Sequence, residues 1–141
     1  RGHTFSLDET HHNKLEPRKR TFHTIIPGFI MKDGIAVGPF GVMGGFMQPQ
    51  GHLQVVMNMI DFKMDPQSAL DAPRFRWDEG LKVGLENRFE SYVAQKLEKR
   101  GHHVTIDLYS GGFGRGQIIL KENNGYKAGT ETRCDGFIAY Y

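Results

Sequence analysis

The sequence has one cysteine, no long apolar run and almost no net charge. With Cys134 alone, neither an intrachain disulfide nor a cysteine-based zinc site is possible. No apolar stretch approaches the roughly 20 residues that a membrane-spanning helix needs, so no membrane span is expected in this chain. The 18 basic and 16 acidic residues leave a formal charge of +2. This balance argues against nucleic acid or an anionic membrane surface as the main partner.

Glycine, by contrast, is abundant, with 18 residues in a chain of 141, where about 7% is the average. Such a chain has many turns, or a backbone that comes close to another group. Its length fits the usual range of about 100–200 residues for one domain, and no internal repeat or low-complexity segment divides it. Residues 1–141 are therefore expected to form one unit. The first residue is Arg1 rather than methionine, as expected of a processed precursor or of a piece cut from a longer chain.

The most informative pattern begins with a predicted hairpin. Residues 24–31 are apolar and partly β-branched, which favours a strand. Residues 32–34 have the sequence Lys-Asp-Gly, which is typical of a turn, and residues 35–38 continue as a mostly apolar segment. Two such segments joined by an Asp-Gly turn predict a β-hairpin.

Two glycines, Gly44 and Gly45, lie between this hairpin and a predicted helix. The helix is indicated by Pro49 near its start and by apolar residues at helical spacing, namely Leu53, Val56, Met57 and Ile60. Glycines ahead of a helix leave backbone N–H groups free to approach a negative group. One candidate is the oxyanion that develops during acyl transfer, and a tight turn without a ligand is the alternative. No Gly-Lys-Ser/Thr follows, so a phosphate-binding loop is excluded.

The middle of the chain predicts a short helix and an extended segment. Asp65 is a good N-cap, the proline after it suits the first helical position, and Pro73 ends the helix. Arg74 and Arg76 then alternate with aromatic residues, as in a half-buried extended segment. We interpret both arginines as salt-bridge residues rather than as a patch for an acidic ligand.

The second half predicts a strand, a helix and another strand. Residues 81–86 alternate between apolar and other residues, which indicates a strand with one solvent-facing side. Asn87 and Glu90 have the spacing of a capping pair at a helix start, and Gly101 suits the end of that helix. Residues 104–108 alternate again and predict the next strand.

The last third predicts a loop, a hairpin and a packed terminus. Residues 110–116 are rich in glycine and are expected to form a flexible loop rather than a ligand site. Residues 117–121 and 126–130 flank an Asn-Asn-Gly turn and predict a second hairpin. The terminal segment 133–141 ends in apolar residues and is expected to dock on the rest of the chain. Together these elements predict an α+β domain with a mostly antiparallel sheet.

Several motifs resemble those of γ-glutamyltranspeptidase-like enzymes, in the same order and over nearly the whole chain. They are residues 19–27, 32–34, 41–45 (Gly-Val-Met-Gly-Gly), 58–61, 72–75 (Ala-Pro-Arg-Phe) and 133–141. The resemblance implies a four-layer αββα N-terminal-nucleophile hydrolase fold. Residues 1–141 would be the C-terminal portion of the small, catalytic subunit, and the part that carries the nucleophile would lie upstream. This chain by itself is then expected to be inactive and to expose apolar surface meant for the missing layers.

The resemblance also implies a reaction and its partners. Family members are made as precursors that cut themselves into two subunits, and they are often extracellular or periplasmic. The threonine at the new N-terminus attacks a γ-glutamyl or other acyl amide, with its own α-amino group as base. The acyl group then passes to water or to an amine, and Gly44 and Gly45 match the oxyanion hole. No cofactor or metal is implied. The expected partners are a small-molecule amide and the remainder of the precursor, that is, the large subunit and the N-terminal part of the small subunit.

Four further residues match the substrate pocket of the family but differ from its commonest form. His23 and Thr24 replace a serine pair that holds the α-carboxylate, as in the cephalosporin-acylase-like subgroup. Thr4 replaces the acid that binds the α-amino group, and Arg1 replaces a glutamine or asparagine. Losing that acid removes a charge-assisted hydrogen bond worth about 1.5–3 kcal/mol. We expect cleavage of an acyl or γ-glutamyl amide whose carboxylate contacts Thr24 and His23.

Two alternatives stay open at this point. His23 has a structural interpretation, that of a packed strand residue. For the whole chain, the alternative is a non-catalytic function, namely a structural or interaction domain that kept the scaffold after losing activity. A threonine, serine or cysteine at a self-cleavage junction upstream would favour the enzyme, and its absence would favour the scaffold.

Overall fold

The computed structural model describes residues 5–20 and 23–141. The strands are β1 (Gly28–Lys32), β2 (Ile35–Met43), β3 (Phe75–Glu79), β4 (Lys82–Glu86), β5 (His103–Asp107), β6 (Arg115–Glu122) and β7 (Gly125–Thr130). The helices are α1 (Met47–Ile60), α2 (Pro66–Asp71) and α3 (Ser91–Glu98), with a 3-10 turn at Ser110–Phe113. One sheet has four antiparallel strands in the order β1-β2-β6-β7, and the other has three in the order β3-β4-β5. Only the β4/β5 pair is parallel among the described strands, so the predicted α+β class is confirmed.

Both predicted hairpins form, and the first one begins later than expected. Asp33 and Gly34 turn between β1 and β2 with φ angles of 52° and 77°, the type I′ geometry that matches strand twist. Residues 24–27 were predicted to be strand but have no strand partner among the described residues. Pro27 cannot donate to a ladder, and the backbone of this segment bonds to α1 instead.

The core lies between the four-stranded sheet and the helices α1 and α2. Its fully buried members come from β2, α1, α2 and β6, namely Val42, Val55, Leu70 and Ile118. Gly51 lets α1 approach β2, because a Cβ there would lie 2.7 Å from Val42 Cγ1. Helix α2 begins as predicted, since the Asp65 carboxylate accepts hydrogen bonds from the backbone N–H groups of Gln67 and Ser68. The packing of α1 on Val42 fixes the end of β2, just before the glycine pair begins.

Helix α1 hydrogen-bonds the edge of β3 through two glutamine side chains. Gln50 accepts from Trp77 N at 2.7 Å and donates to Trp77 O at 3.1 Å. Gln54 does the same with Phe75 N and O, at 3.0 and 2.9 Å. Residues four apart on a helix rise by about 6 Å, and alternate strand residues are about 6.6 Å apart, so the two amides match the strand. The edge of β3 is therefore satisfied without a neighbouring strand.

Strand β4 does not have the solvent-facing side that its alternation predicts. Its last four residues are all buried, from Val83 to Glu86. The strand is central in its sheet, and the side chains of Arg76 and Asp107 cover Gly84, each within 3.2 Å of a Cβ placed there. Glu86 is buried because it is paired with Arg133. The prediction of a solvent-facing side was wrong because this partner lies far away along the chain.

Helix α3 ends as predicted but begins differently. Gly101 has a φ of 91° just past the helix end, where a left-handed residue is favoured. The predicted capping pair does not form: Glu90 is the N-cap but makes no side-chain cap bond. Asn87 instead donates its backbone N–H to Asp107 O, because it extends the strand pairing. No residue of α3 is buried within this chain.

Two predictions for the last third were wrong. Residues 110–116 are not a flexible loop, because Phe113 is fully buried and Gly114 packs against Val42. The terminal segment 133–141 does not dock as a whole, since the Phe137 side chain is 86% exposed. No described element lies over that ring.

His52 makes the end of β2 sensitive to pH. Its Nε2 accepts a hydrogen bond from Val42 N at 3.0 Å, and burial lowers the pKa of His52 below its ordinary value of 6.5. The unfolded chain then takes up the proton more readily, so stability is present above pH 6.5 and is lost as the pH falls through the folded pKa. We expect a loss of about 1 kcal/mol between pH 7.5 and 5, measured by urea unfolding.

The control for this pH effect is His52→Gln, whose amide oxygen accepts the same hydrogen bond without titrating. Its free energy of unfolding should change less over the same range. A His52 pKa at or above 6.5 in an NMR titration would contradict the prediction.

Candidate functional site

The glycine pair forms an exposed turn between β2 and α1. Gly44 has a φ of 150° and Gly45 one of 60°. Their carbonyl groups accept from the first turn of α1, at Met47 N and Gln48 N, with distances of 3.0 and 3.1 Å. Within residues 5–20 and 23–141, the N–H groups of the two glycines donate to no acceptor. Two adjacent free N–H groups at a helix start have the chemistry of an anion site.

The two glycines are required for different reasons. A Cβ on Gly44 would lie 3.1 Å from Gly114 Cα and 3.2 Å from Met47 Cβ, so this position is closed by its neighbours. A Cβ on Gly45 would meet no atom within 4 Å. At Gly45 only the positive φ favours glycine, whereas at Gly44 both the φ of 150° and the close approach of Gly114 disfavour a side chain.

The structure brings Thr24 beside this turn through the side chain of Gln48. Gln48 Nε2 donates to Thr24 O at 2.7 Å and to Gly45 O at 3.2 Å, and Oε1 accepts from Ile26 N at 3.2 Å. His23 is exposed and precedes β1, which contradicts its interpretation as a packed strand residue. The other two predicted pocket residues, Arg1 and Thr4, lie outside the described residues.

A groove of about 490 Å³ lies over the sheet, and its lining includes Met43 and Gln48, which precede and follow the glycine turn along the chain. Its floor is the face of β2 and β6 that points away from α1 and α2, with Met43, Arg115 and Gln117. Residues 25–27 and 134–135 form its sides. The groove therefore joins the segment after Thr24, the end of β2 and the start of the terminal segment.

Behind the turn lies a buried network of two arginines and two glutamates. Arg74 Nη2 is 2.9 Å from Glu131 Oε2, and Arg133 Nη1 is 2.7 Å from Glu131 Oε1. Arg133 also holds Glu86 with two bonds of 2.6 Å. Each of the four side chains is at most 2% exposed. Burial alone would raise the pKa of Glu86, but hydrogen bonds from Arg133 and Arg74 N hold it below its ordinary value.

This network supports the glycine turn from the side of β6. Arg74 Nη1 donates to Phe113 O and Gly114 O at 3.1 and 3.2 Å, and Glu131 accepts from Gly116 N at 2.7 Å. Gly114 in turn packs on Gly44. The salt-bridge interpretation of Arg74 is confirmed. Its partner was missed, because Glu131 lies 57 residues away along the chain.

Two other classes of feature are not found in the described ranges. No group of three histidine, cysteine, aspartate or glutamate side chains there is placed to hold a metal ion. None of the helices is both long and apolar enough to cross a membrane.

Comparison with known proteins decides the family. The family described as Gamma-glutamyltranspeptidase matches residues 1–141, the whole chain. The chain belongs to the gamma-glutamyltranspeptidase family. The resemblance carried by its motifs is thereby confirmed.

Three similar proteins show how far this likeness extends. The glutathione hydrolase-like YwrD proenzyme of Bacillus subtilis is 40% identical over 96% of this chain and 27% of its own length. The oxamate amidohydrolase proenzyme of Klebsiella pneumoniae is 31% identical over 100% of this chain and 28% of its own length. The crystal structure of cephalosporin acylase from Bacillus halodurans is 56% identical, with a TM-score of 0.94 over 100% of this chain and 27% of that chain.

These matches confirm the predicted fold, part of the N-terminal-nucleophile hydrolase architecture of the family. They also show that the chain spans about a quarter of the length of the relatives it matches.

Proposed function

We propose that residues 1–141 are the C-terminal portion of the small subunit of a self-processing amidase, which hydrolyses an acyl amide or transfers its acyl group. The chain contributes the oxyanion hole and part of the substrate pocket. The observation that carries this proposal is the pair of N–H groups at Gly44 and Gly45, which have no acceptor among the described residues and are held next to Thr24 by one buried side chain.

The chemistry follows from where charge develops. An N-terminal threonine, supplied by the chain upstream, adds to the amide carbonyl while its α-amino group takes the hydroxyl proton. The carbonyl oxygen becomes negative, and Gly44 N–H and Gly45 N–H stabilise it. The proton then passes to the leaving amine as the C–N bond breaks. Water or a second amine attacks the acyl-threonine ester in the same way and releases the product.

The substrate class is an acyl amide with a carboxylate at its far end. Thr24 offers a hydroxyl and His23 an imidazole on the segment beside the oxyanion hole, and both suit a carboxylate. The relatives support amide cleavage with varied acyl groups, since their names refer to glutathione, oxamate and cephalosporin. Arg1 and Thr4, which replace the family's commoner residues, belong to the same proposed pocket.

The proposed partner of this chain is the rest of its own precursor. The sheet face opposite α1 and α2 carries exposed apolar side chains, with Phe29 at 56%, Met43 at 55% and Ile119 at 46%. In a four-layer fold a second sheet packs on this face and covers these side chains. The upstream part of the small subunit and the large subunit would supply that layer.

Self-cleavage of the full-length product tests the proposal. Intact mass and N-terminal sequencing before and after incubation should show two fragments, with the cut upstream of Arg1 and a threonine at the new N-terminus. Replacing that threonine by alanine should leave the precursor whole, which is the control for cleavage by a contaminating protease. A wild-type precursor that stays whole through prolonged incubation would overturn the proposal and favour a non-catalytic scaffold.

A further inference from the structure

Gln48 lies between the two halves of the proposed site. On one side its amide bonds to Thr24 O and Ile26 N, and on the other to Gly45 O. The residue is 7% exposed and is the second residue of α1. No other side chain in the described part of the chain bonds to both Thr24 and Gly45.

The amide of Gln48 is well suited to fix the distance between the Thr24 segment and the glycine turn. Both of its N–H groups have carbonyl acceptors, and its oxygen takes the Ile26 N–H, so little freedom remains. Breaking these bonds would remove the hydrogen bonds that tie Thr24 O and Ile26 N to α1. The segment that carries His23 and Thr24 has no strand partner of its own among the described residues. Its position relative to the glycine turn therefore depends on Gln48.

We infer that Gln48 is a positioning residue that sets the length of acyl group accepted by the site. A substrate must reach from the oxyanion hole at Gly44 and Gly45 to the carboxylate contact at Thr24 and His23. Gln48 holds these two contacts at one separation, and an acyl chain of matching length fills both. The inference rests on the proposed function, because it assigns the two contacts to the two ends of one substrate.

The test uses the full-length, self-processed protein and a series of anilides of linear dicarboxylic acids, from malonyl to adipyl. The wild-type protein should prefer one chain length. Gln48→Met removes all three bonds with little change in size, and should lower kcat/KM on the preferred anilide at least tenfold. It should also reduce, by at least threefold, the ratio of kcat/KM between that anilide and its neighbours in length.

Gln54→Met is the matched control. Gln54 lies on the same helix, is 9% exposed and bonds to both backbone groups of Phe75, but it touches neither the glycine turn nor Thr24. Its loss should destabilise the protein without changing the preference for chain length. The ratio of two substrates does not depend on the fraction of folded enzyme, so a structural defect alone does not move it.

Gln48→Glu serves as the second variant if Gln48→Met folds poorly. The glutamate keeps the acceptor for Ile26 N–H and loses the two bonds that the amide donates, so the preference should again be reduced. Unchanged length preference in the Gln48 variants, with an active wild-type protein, would overturn the inference alone. A wild-type protein inactive on every anilide and on γ-glutamyl anilide would overturn the proposed function, and the inference with it.

Discussion

Replacing Gly44 by alanine is expected to lower kcat of the full-length, processed protein about 10²- to 10³-fold, the usual cost of losing an oxyanion-hole donor. The new Cβ would lie 3.1 Å from Gly114 Cα and 3.2 Å from Met47 Cβ. Neither backbone can yield easily, because Gly114 O is held by the buried Arg74 and Met47 begins α1. The turn must therefore rotate, and its N–H groups leave the developing oxyanion. Steady-state kinetics on an anilide substrate measure the effect.

Two alanine variants at other positive-φ positions serve as comparisons, because alanine at Gly44, with a φ of 150°, carries backbone strain as well as the close contacts. Gly45→Ala places a side chain at φ 60° with no atom within 4 Å, so it carries conformational strain of about 1–2 kcal/mol without a clash. Its effect on kcat should be much smaller. Gly80→Ala has the same strain at φ 50° in open space, far along the chain from the site, and should leave kcat unchanged. Equal losses in all three variants would contradict an oxyanion role for Gly44.

Replacing Glu131 by glutamine is expected to cost about 3–5 kcal/mol of unfolding free energy, the usual effect of breaking a buried ion pair. Glu131 is fully buried and accepts from both Arg74 and Arg133. Without its charge, the Arg74 guanidinium has no carboxylate partner left, and the Arg133 guanidinium keeps only Glu86. Glutamine would also place an NH₂ group against hydrogen-bond donors, at a position where the carboxylate of Glu131 offers only acceptors. The shift of the urea-unfolding curve of the full-length protein measures the cost.

Glu79→Gln is the control for this prediction. Glu79 contacts Lys82 at 2.6 Å, a shorter distance than that between Glu131 and Arg74, but its side chain is 72% exposed. Exposed pairs contribute about 0–1 kcal/mol, so this variant should unfold close to the wild-type midpoint. If both variants lost the same small amount, the network of Arg74, Glu86, Glu131 and Arg133 would not be the stabilising element described above.

The parts of the fold that follow local rules could be predicted from the sequence. The Asp33 and Gly34 turn, the cap at Asp65 and the left-handed Gly101 each depend on residues within a few positions along the chain. The location of Gly44 and Gly45 between a strand and a helix belongs to the same class. The family motifs added the proposed use of that turn.

Local rules failed where burial is decided by distant partners. Glu86 is charged and follows an alternating pattern, which favours a solvent-facing side of β4. Arg133, which lies 47 residues later in the chain, pairs with Glu86 and covers it. The tail was predicted to dock because it is apolar, yet apolar character alone does not supply a surface to cover it. Phe113 was assigned to a loop because glycines surround it, although its ring fills the core.

The sequence by itself determined the elements, the class of fold and the place of the glycine pair, because short-range sterics and capping fix those features. Only the tertiary structure decided how the site is held together. Gln48 joins Thr24 to Gly45, and Arg74 holds Gly114 against Gly44. The contact of Gln48 with Thr24 joins residues 24 positions apart along the chain, and that of Arg74 with Gly114 joins residues 40 positions apart. No periodicity encodes such a pairing, because it exists only once the sheet and helices have packed.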